Sequence, residues 1–223
     1  MSLAELHRPK TWQEVIGQDK AVSTLQRIAR AGGWGGKAYW IAGSSGTGKS
    51  SIGRLIAAEL AESWHTDEMD AAELTADKMR EIERAMQVRG MAGASGRTGK
   101  AWIVNEAHGL TSSQSRKLLT LLEPEGGIPR HVAFIFTTTN EGEEALFEGC
   151  LDAKPLLSRC IEVPLARRGL AEAFAKRARA IALAAGLDGK PERAYLELVK
   201  SKRNNMRAVL QEIEAGAMIA EGG

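Results

Sequence analysis

The sequence predicts an α/β fold built on a parallel sheet, followed by a small all-helical unit. Three observations predict it. Short, continuous apolar runs of strand length alternate with amphipathic helical patterns through the first two-thirds of the chain. A Gly/Ser-rich turn joins the first of these runs directly to a helical pattern. After Pro164 only helical patterns remain.

The first strand is Ala38–Ala42 (AYWIA), and it leads into the Gly/Ser-rich turn. The helix Ser51–Glu62 follows, with Ile52, Leu55, Ile56 and Leu60 at helical spacing. A weaker strand pattern lies at Trp64–Met69, and Asp77–Val88 is helical through Met79, Ile82, Met86 and Val88. Gly90–Gly99 is rich in glycine and reads as a mobile loop. The strand Ala101–Val104 and the helix Ser113–Leu122 come next, then Val132–Thr138, rich in β-branched and aromatic residues, and the short strand Ile161–Val163. Runs without polar alternation suit strands buried on both faces, as in a parallel sheet with helices on either side. Beyond Gly169, Leu170, Phe174, Ile181 and Ala185 form one stripe ended by Gly186. Pro191 opens a second helix, and a third runs from about Asn204 to Ala220. The expected division is residues 1–164 and 165–223.

Composition narrows the function. Of 223 residues, 43% are hydrophobic and 26% charged, which suits a globular chain with a substantial core. The net charge of +2 points to no partner, so any contact with nucleic acid must come from a local basic patch. The two cysteines, Cys150 and Cys160, cannot make a four-ligand zinc site and do not outline a disulfide framework. The N-terminus has no apolar signal core, and no apolar run is long enough to span a membrane. A cytoplasmic location is the expectation.

Gly43-Ser44-Ser45-Gly46-Thr47-Gly48-Lys49-Ser50 fits G-x-x-x-x-G-K-[ST] throughout. Glycines allow the backbone to curl so that successive N–H groups face phosphate oxygens, and the helix that follows adds the positive end of its dipole. Lys49 supplies a point charge to the β- and γ-phosphates, and Ser50 a hydroxyl ligand to Mg²⁺. The strand before the motif and the amphipathic helix after it are the context this chemistry requires.

A second pattern closes the strand Ala101–Val104, which ends in Asn105-Glu106-Ala107-His108. An apolar strand followed by two acids serves magnesium with the first and the attacking water with the second. Glu106 is thus the general-base candidate. Position 105 is asparagine where an aspartate is expected, so its hold on Mg²⁺ carries no charge. His108 is read as a packing or hydrogen-bonding residue.

At this point the motifs resemble a family. Arg8-Pro9-Lys10-Thr11-Trp12-Gln13-Glu14-Val15-Ile16-Gly17-Gln18 is similar to the opening of DNA sliding-clamp loader ATPases of the AAA+ class. Ser115–Leu122 with Glu123-Pro124, the strand end Thr137-Thr138-Thr139-Asn140, the S-R-C motif Ser158-Arg159-Cys160 and Asn205-Met206-Arg207-Ala208 resemble further motifs of that family, in its order. The likeness is to the replication factor C small subunit and to bacterial polymerase III gamma-tau-type subunits.

The resemblance implies a five-stranded parallel sheet of order 5-1-4-3-2 with a three-helix lid. It implies ATP and Mg²⁺ at the carboxyl ends of the strands and an ATPase acting in DNA replication. Val15 and Ile16 are implied to pack on the adenine. Gly43, Gly46, Thr47, Gly48, Lys49, Ser50 and Ser51 are implied to hold the phosphates, and Ser50 and Asn105 the metal. Asn140 is the implied sensor of the γ-phosphate, and Arg207 is implied to be directed at it from the lid. Arg159 is implied to reach the ATP of a neighbouring subunit. Read singly, Arg159 fits a surface arginine equally well, and Arg207 fits a side chain that reaches solvent. The implied partners are other AAA+ subunits, a sliding clamp and DNA. Arg89, Arg97, Lys100 and Arg116 flank the implied DNA-facing region, although a solvated loop accounts for them equally well.

Three departures qualify the likeness: Asn105, the lack of the bacterial family's zinc-module cysteines, and the lack of a collar beyond the lid. On this reading the family's collar is absent, and a stable pentamer of this chain alone is not expected. The stretch between Asn140 and Ser158 is also longer than usual. A nucleotide-dependent scaffold with weak or no hydrolysis, or another DNA-remodelling motor such as a branch-migration ATPase, are the alternative readings.

Overall fold

The structure is a computed structural model and describes residues 1–123, 127–139 and 153–220. The chain opens with a single helical turn, α1 (Leu3–Leu6), in which the Ser2 hydroxyl accepts from the Glu5 N–H. Helix α2 (Asp19–Gly32) comes next. The sequence reading passes over α2, because its buried face is only Ala21 and Leu25, with Ile28 at the margin.

From there strand and helix alternate as expected, with α6 the one helix the sequence does not announce: β1 (Lys37–Gly43), α3 (Lys49–Leu60), β2 (Ala61–Asp70), α4 (Ala76–Ala85), β3 (Gly99–Asn105), α5 (Ser112–Leu122), β4 (Val132–Thr139), α6 (Ala153–Ser158) and β5 (Ile161–Pro164). Thr75 caps α4, and Thr111 with Gln114 forms a reciprocal capping box on α5. Helix α3 passes into β2 without a loop. A Cβ at position 99 would stand 2.4 Å from the Leu60 carbonyl oxygen, so β3 can begin beside this junction only with glycine there.

The strands form one parallel sheet in the order β2-β3-β4-β1-β5, which is the expected 5-1-4-3-2 read from the other edge. Alternate residues feed opposite layers. Tyr39, Ile41, Ile103 and Ile135 pack with Leu25, Ile52 and Ile56 of α2 and α3. Trp40, Trp102, Phe134 and Phe136 pack with Met79, Ile82, Leu118 and Leu122 of α4 and α5. Each of these large side chains contributes about 1.5–3 kcal/mol by leaving water, which holds the strand ends in fixed positions.

The Gly90–Gly99 segment, expected to be mobile, is pinned to the edge strand β2. The Glu62 carboxylate accepts from the Gly93 N–H (3.2 Å) and from the N–H and hydroxyl of Ser95 (3.0 and 2.5 Å), and the Met91 N–H donates to His65 Nε2 (2.9 Å).

Helices α7 (Ala171–Ala184), α8 (Glu192–Ser201) and α9 (Met206–Glu214) form a third cluster around Phe174, Ile181, Tyr195, Val199, Val209 and Ile213. The fully buried Tyr195 ring donates its hydroxyl proton to Asp188 Oδ1 at 2.7 Å. Leu3 of α1 and Ile16 join this cluster rather than the sheet, so the N-terminal segment lies along the helical bundle. Among the described residues no helix is long and apolar enough to cross a membrane.

Candidate functional site

The turn after β1 is built to cradle an anion. Gly46 and Gly48 adopt φ of 73° and 102°, which side-chain-bearing residues rarely do. The Thr47 hydroxyl donates to the Ser44 carbonyl at 2.8 Å and tightens the turn. Lys49 opens α3 with its side chain largely buried, and its ammonium donates to the Gly43 and Ser44 carbonyls at 3.0 and 3.1 Å. That fixes a cation within the loop that the glycines curve around.

The ends of β3 and β4 supply the next layer. Ser50 Oγ lies 3.4 Å from Asn105 Oδ1, and the Thr137 hydroxyl donates to that same oxygen at 2.8 Å. The Asn105 Nδ2 donates to Glu68 Oε1 on β2 at 2.9 Å. Glu106 sits in the left-handed region (φ 50°, ψ 44°), an uncommon conformation for a residue with a side chain. Its Oε2 accepts from the Thr139 hydroxyl and lies 3.3 Å from His108 Nδ1. His108 thus stands beside the carboxylate.

Helix α9 and the chain before it close over the loop. The Met206 N–H donates to the Gly46 carbonyl (3.3 Å), Asn205 Nδ2 to Ser45 Oγ (3.4 Å), and Arg167 Nε to Ser44 Oγ (3.0 Å). Gln18 is 1% exposed; its amide donates to the carbonyls of Thr47 and Ala166 and accepts from the Ala166 N–H at 2.7 Å. One buried side chain therefore joins the phosphate loop to the strand that leads into the bundle.

Between these walls lies a cleft open to solvent. Val15, Ile16, Gly46, Thr47, Gly48, Lys49, Ser50, Ser51, Glu106 and Arg207 all line it, together with the apolar Phe174, Ile181 and Leu210. Glu5, also in the wall, is held below the usual carboxylate range by its hydrogen bond from Arg8, against the opposing effect of burial, with the charges of Arg8, Arg54 and Arg207 adding to it.

Residues 39–155, more than half of the chain, match the profile of the ATPase family associated with various cellular activities (AAA). The chain belongs to the AAA family. Membership carries nucleotide binding and, generally, ATPase activity. Replication factor C large subunit of Methanocella arvoryzae is 26% identical over 218 residues, which cover 96% of this chain and 36% of that protein. DNA polymerase III subunit tau of Escherichia coli is 28% identical over 185 residues, which cover 73% and 26%. The AAA chain thus spans about a third of the length of the curated relatives it matches. A RuvB mutant of Thermotoga maritima has a TM-score of 0.70 at 19% identity, covering 94% of this chain and 65% of that one, a likeness of fold.

The residues of this AAA chain fit ATP and Mg²⁺. The curled glycine backbone and the Lys49 ammonium suit a polyphosphate, and the Ser50 and Asn105 oxygens suit a hard cation. Among the described residues no group of three or more His, Cys, Asp or Glu is placed to hold a metal alone.

One expected residue lies apart. Arg159 does not line the cleft of its own chain; it is paired side-on with Glu123, Nε to Oε1 at 2.6 Å and Nη2 to Oε2 at 2.8 Å, and its Nη1 donates to the Pro155 carbonyl. Asn140 lies outside the described residues. Gly43 stands behind the loop as an acceptor for Lys49. Sequence reasoning missed the roles of Gln18, Glu68 and Asn205. Gln18 stands beside Val15–Ile16 in a quoted motif, and Asn205 reads as a helix cap before Met206; Glu68 gives no local signal.

Proposed function

We propose that this AAA chain binds and hydrolyses ATP as a subunit of a clamp-loader-like assembly in DNA replication, working with other AAA+ subunits, a sliding clamp and DNA. The carrying observation is the single cleft that presents Lys49, Ser50 and Glu106 on one wall and Arg207 of α9 on another. The replication assignment is supported by the family motifs and by the names of the relatives, replication factor C large subunit and DNA polymerase III subunit tau.

In this reading the loop N–H groups and Lys49 hold the phosphates, while Val15 and Ile16 receive the base. Ser50 and Asn105 would hold Mg²⁺, which when bound neutralises charge on the β- and γ-oxygens. Glu106 orients the attacking water, and Asn140 and Arg207 sense the γ-phosphate. Arg159 acts on the ATP of a neighbour, consistent with its absence from its own cleft. Residues 165–223 act as a lid whose contacts with Ser44, Ser45 and Gly46 transmit the nucleotide state.

Asn105 favours a second reading, a nucleotide-dependent scaffold with slow turnover. Steady-state ATPase assays with and without a sliding clamp and primed DNA separate the two. Stimulation by both, abolished by Lys49→Ala, supports the clamp-loader role; tight binding with no stimulated turnover supports the scaffold. Mixing Lys49→Ala chains with Arg159→Ala chains restores part of the turnover if Arg159 acts in trans. Failure of the native chain to bind ATP at millimolar concentration would overturn both readings.

A further inference from the structure

The uncharged Asn105 is not isolated from negative charge. Glu68 on β2 and Asn105 on β3 are diagonal neighbours, since Glu68 pairs in register with Ile103 and Asp70 with Asn105. The Asn105 Nδ2 donates to Glu68 Oε1 at 2.9 Å, while Asn105 Oδ1 accepts from Thr137 and Ser50. This orientation of the amide is forced, because an ionised carboxylate can only accept and would otherwise face the amide oxygen.

The Glu68 carboxylate is held in turn by Arg54, which stands one turn after Ser50 on α3: Nε to Oε2 at 2.6 Å and Nη2 to Oε1 at 3.2 Å. The amide therefore sits between a carboxylate and the Ser50 hydroxyl. A hydrogen bond to an ionised group polarises an amide and strengthens its oxygen as an acceptor. Ser50, by giving its one proton to that oxygen, keeps its lone pairs for a cation.

We infer that Glu68 is a positioning residue for the metal: anchored by Arg54, its carboxylate orients and polarises the Asn105 amide, in place of the carboxylate that position 105 would otherwise carry. This rests on reading the cleft as a Mg–nucleotide site. The asparagine then works together with Glu68 on the adjacent strand rather than standing as a defect. An aspartate at 105 would place two carboxylates about 3 Å apart, so the two residues form a matched pair.

The test measures equilibrium binding of a fluorescent ATP analogue to the whole chain in EDTA and in Mg²⁺. The quantity read is the ratio of the two affinities, with thermal unfolding run on every variant. Glu68→Gln is expected to reduce the Mg²⁺-dependent gain by about five- to tenfold. Asn105→Asp is expected not to enlarge the gain. The swapped pair, Glu68→Gln with Asn105→Asp, is expected to restore it to within about threefold, which general weakening of the β2–β3 edge cannot explain. An unchanged ratio in Glu68→Gln, or a larger one in Asn105→Asp with Glu68 intact, overturns the inference while leaving nucleotide binding in place. No binding by the native chain in either buffer overturns the nucleotide reading with it.

Discussion

Gly46 and Asn205 are packed so closely that a Cβ on the glycine would stand 2.0 Å from the asparagine Oδ1. Asn205 caps α9 through that oxygen, which accepts from the Ala208 N–H at 3.1 Å. The phosphate loop and the first turn of the last helix therefore share one contact surface, and neither can shift without the other.

Gly46→Ala should consequently fail twice. The residue has φ of 73°, which costs about 1–2 kcal/mol with a side chain, and the methyl displaces the cap. A fall in thermal stability together with at least tenfold weaker ATP binding is expected. Native-like values on both measurements would show that the loop and α9 are not coupled.

Gln18→Leu removes three hydrogen bonds made by a side chain that is 1% exposed and leaves the Ala166 N–H without its acceptor. A loss of about 2–4 kcal/mol is expected from urea unfolding, with little change in m-value. Gln18→Glu should be worse at pH 8 than at pH 5. The ionised carboxylate would face two carbonyl oxygens, so its folded-state pKa is raised, and stability present at low pH is lost as pH rises.

Glu106→Gln keeps the shape of the side chain and its bond from Thr139 but removes the base. Turnover should fall by about 10²–10⁴ with ATP affinity within severalfold of native, measured by single-turnover kinetics and by titration. Unaltered turnover would exclude Glu106 as the residue that activates water.

Burial, aided by the charge of Glu162, pushes the Cys160 thiol up to about 12. At pH 8 its thiolate is scarce, so alkylation in the folded protein should be slower than in the urea-unfolded chain by on the order of a hundredfold or more. Peptide mass mapping distinguishes it from Cys150. Equal rates in the two states would mean that β5 and α6 do not bury the thiol.

The relation between sequence and site differs from residue to residue. The phosphate loop was legible because Gly46, Gly48, Lys49 and Ser50 act through their own backbone and a helix start, all within eight consecutive positions. Glu106 was legible because it closes an apolar strand. Helix α2 was not, since two buried residues make too narrow a stripe to stand out from its charged neighbours. The loop at residues 90–99 misled because its glycines suggest freedom, whereas the ties that hold it come from Glu62 and His65 on another element.

By itself the sequence determined the alternation of strand and helix, the sheet-facing residues and the chemistry of the phosphate loop. Periodicity of burial and the conformational demands of glycine are local properties. Only the tertiary structure decided that Gln18 grips Ala166, that Asn205 meets Ser45 and that Asn105 leans on Glu68, pairs separated by 148, 160 and 37 residues. Periodicity states which side of an element is buried, but the crossovers of a parallel sheet determine which distant side chain it is buried against.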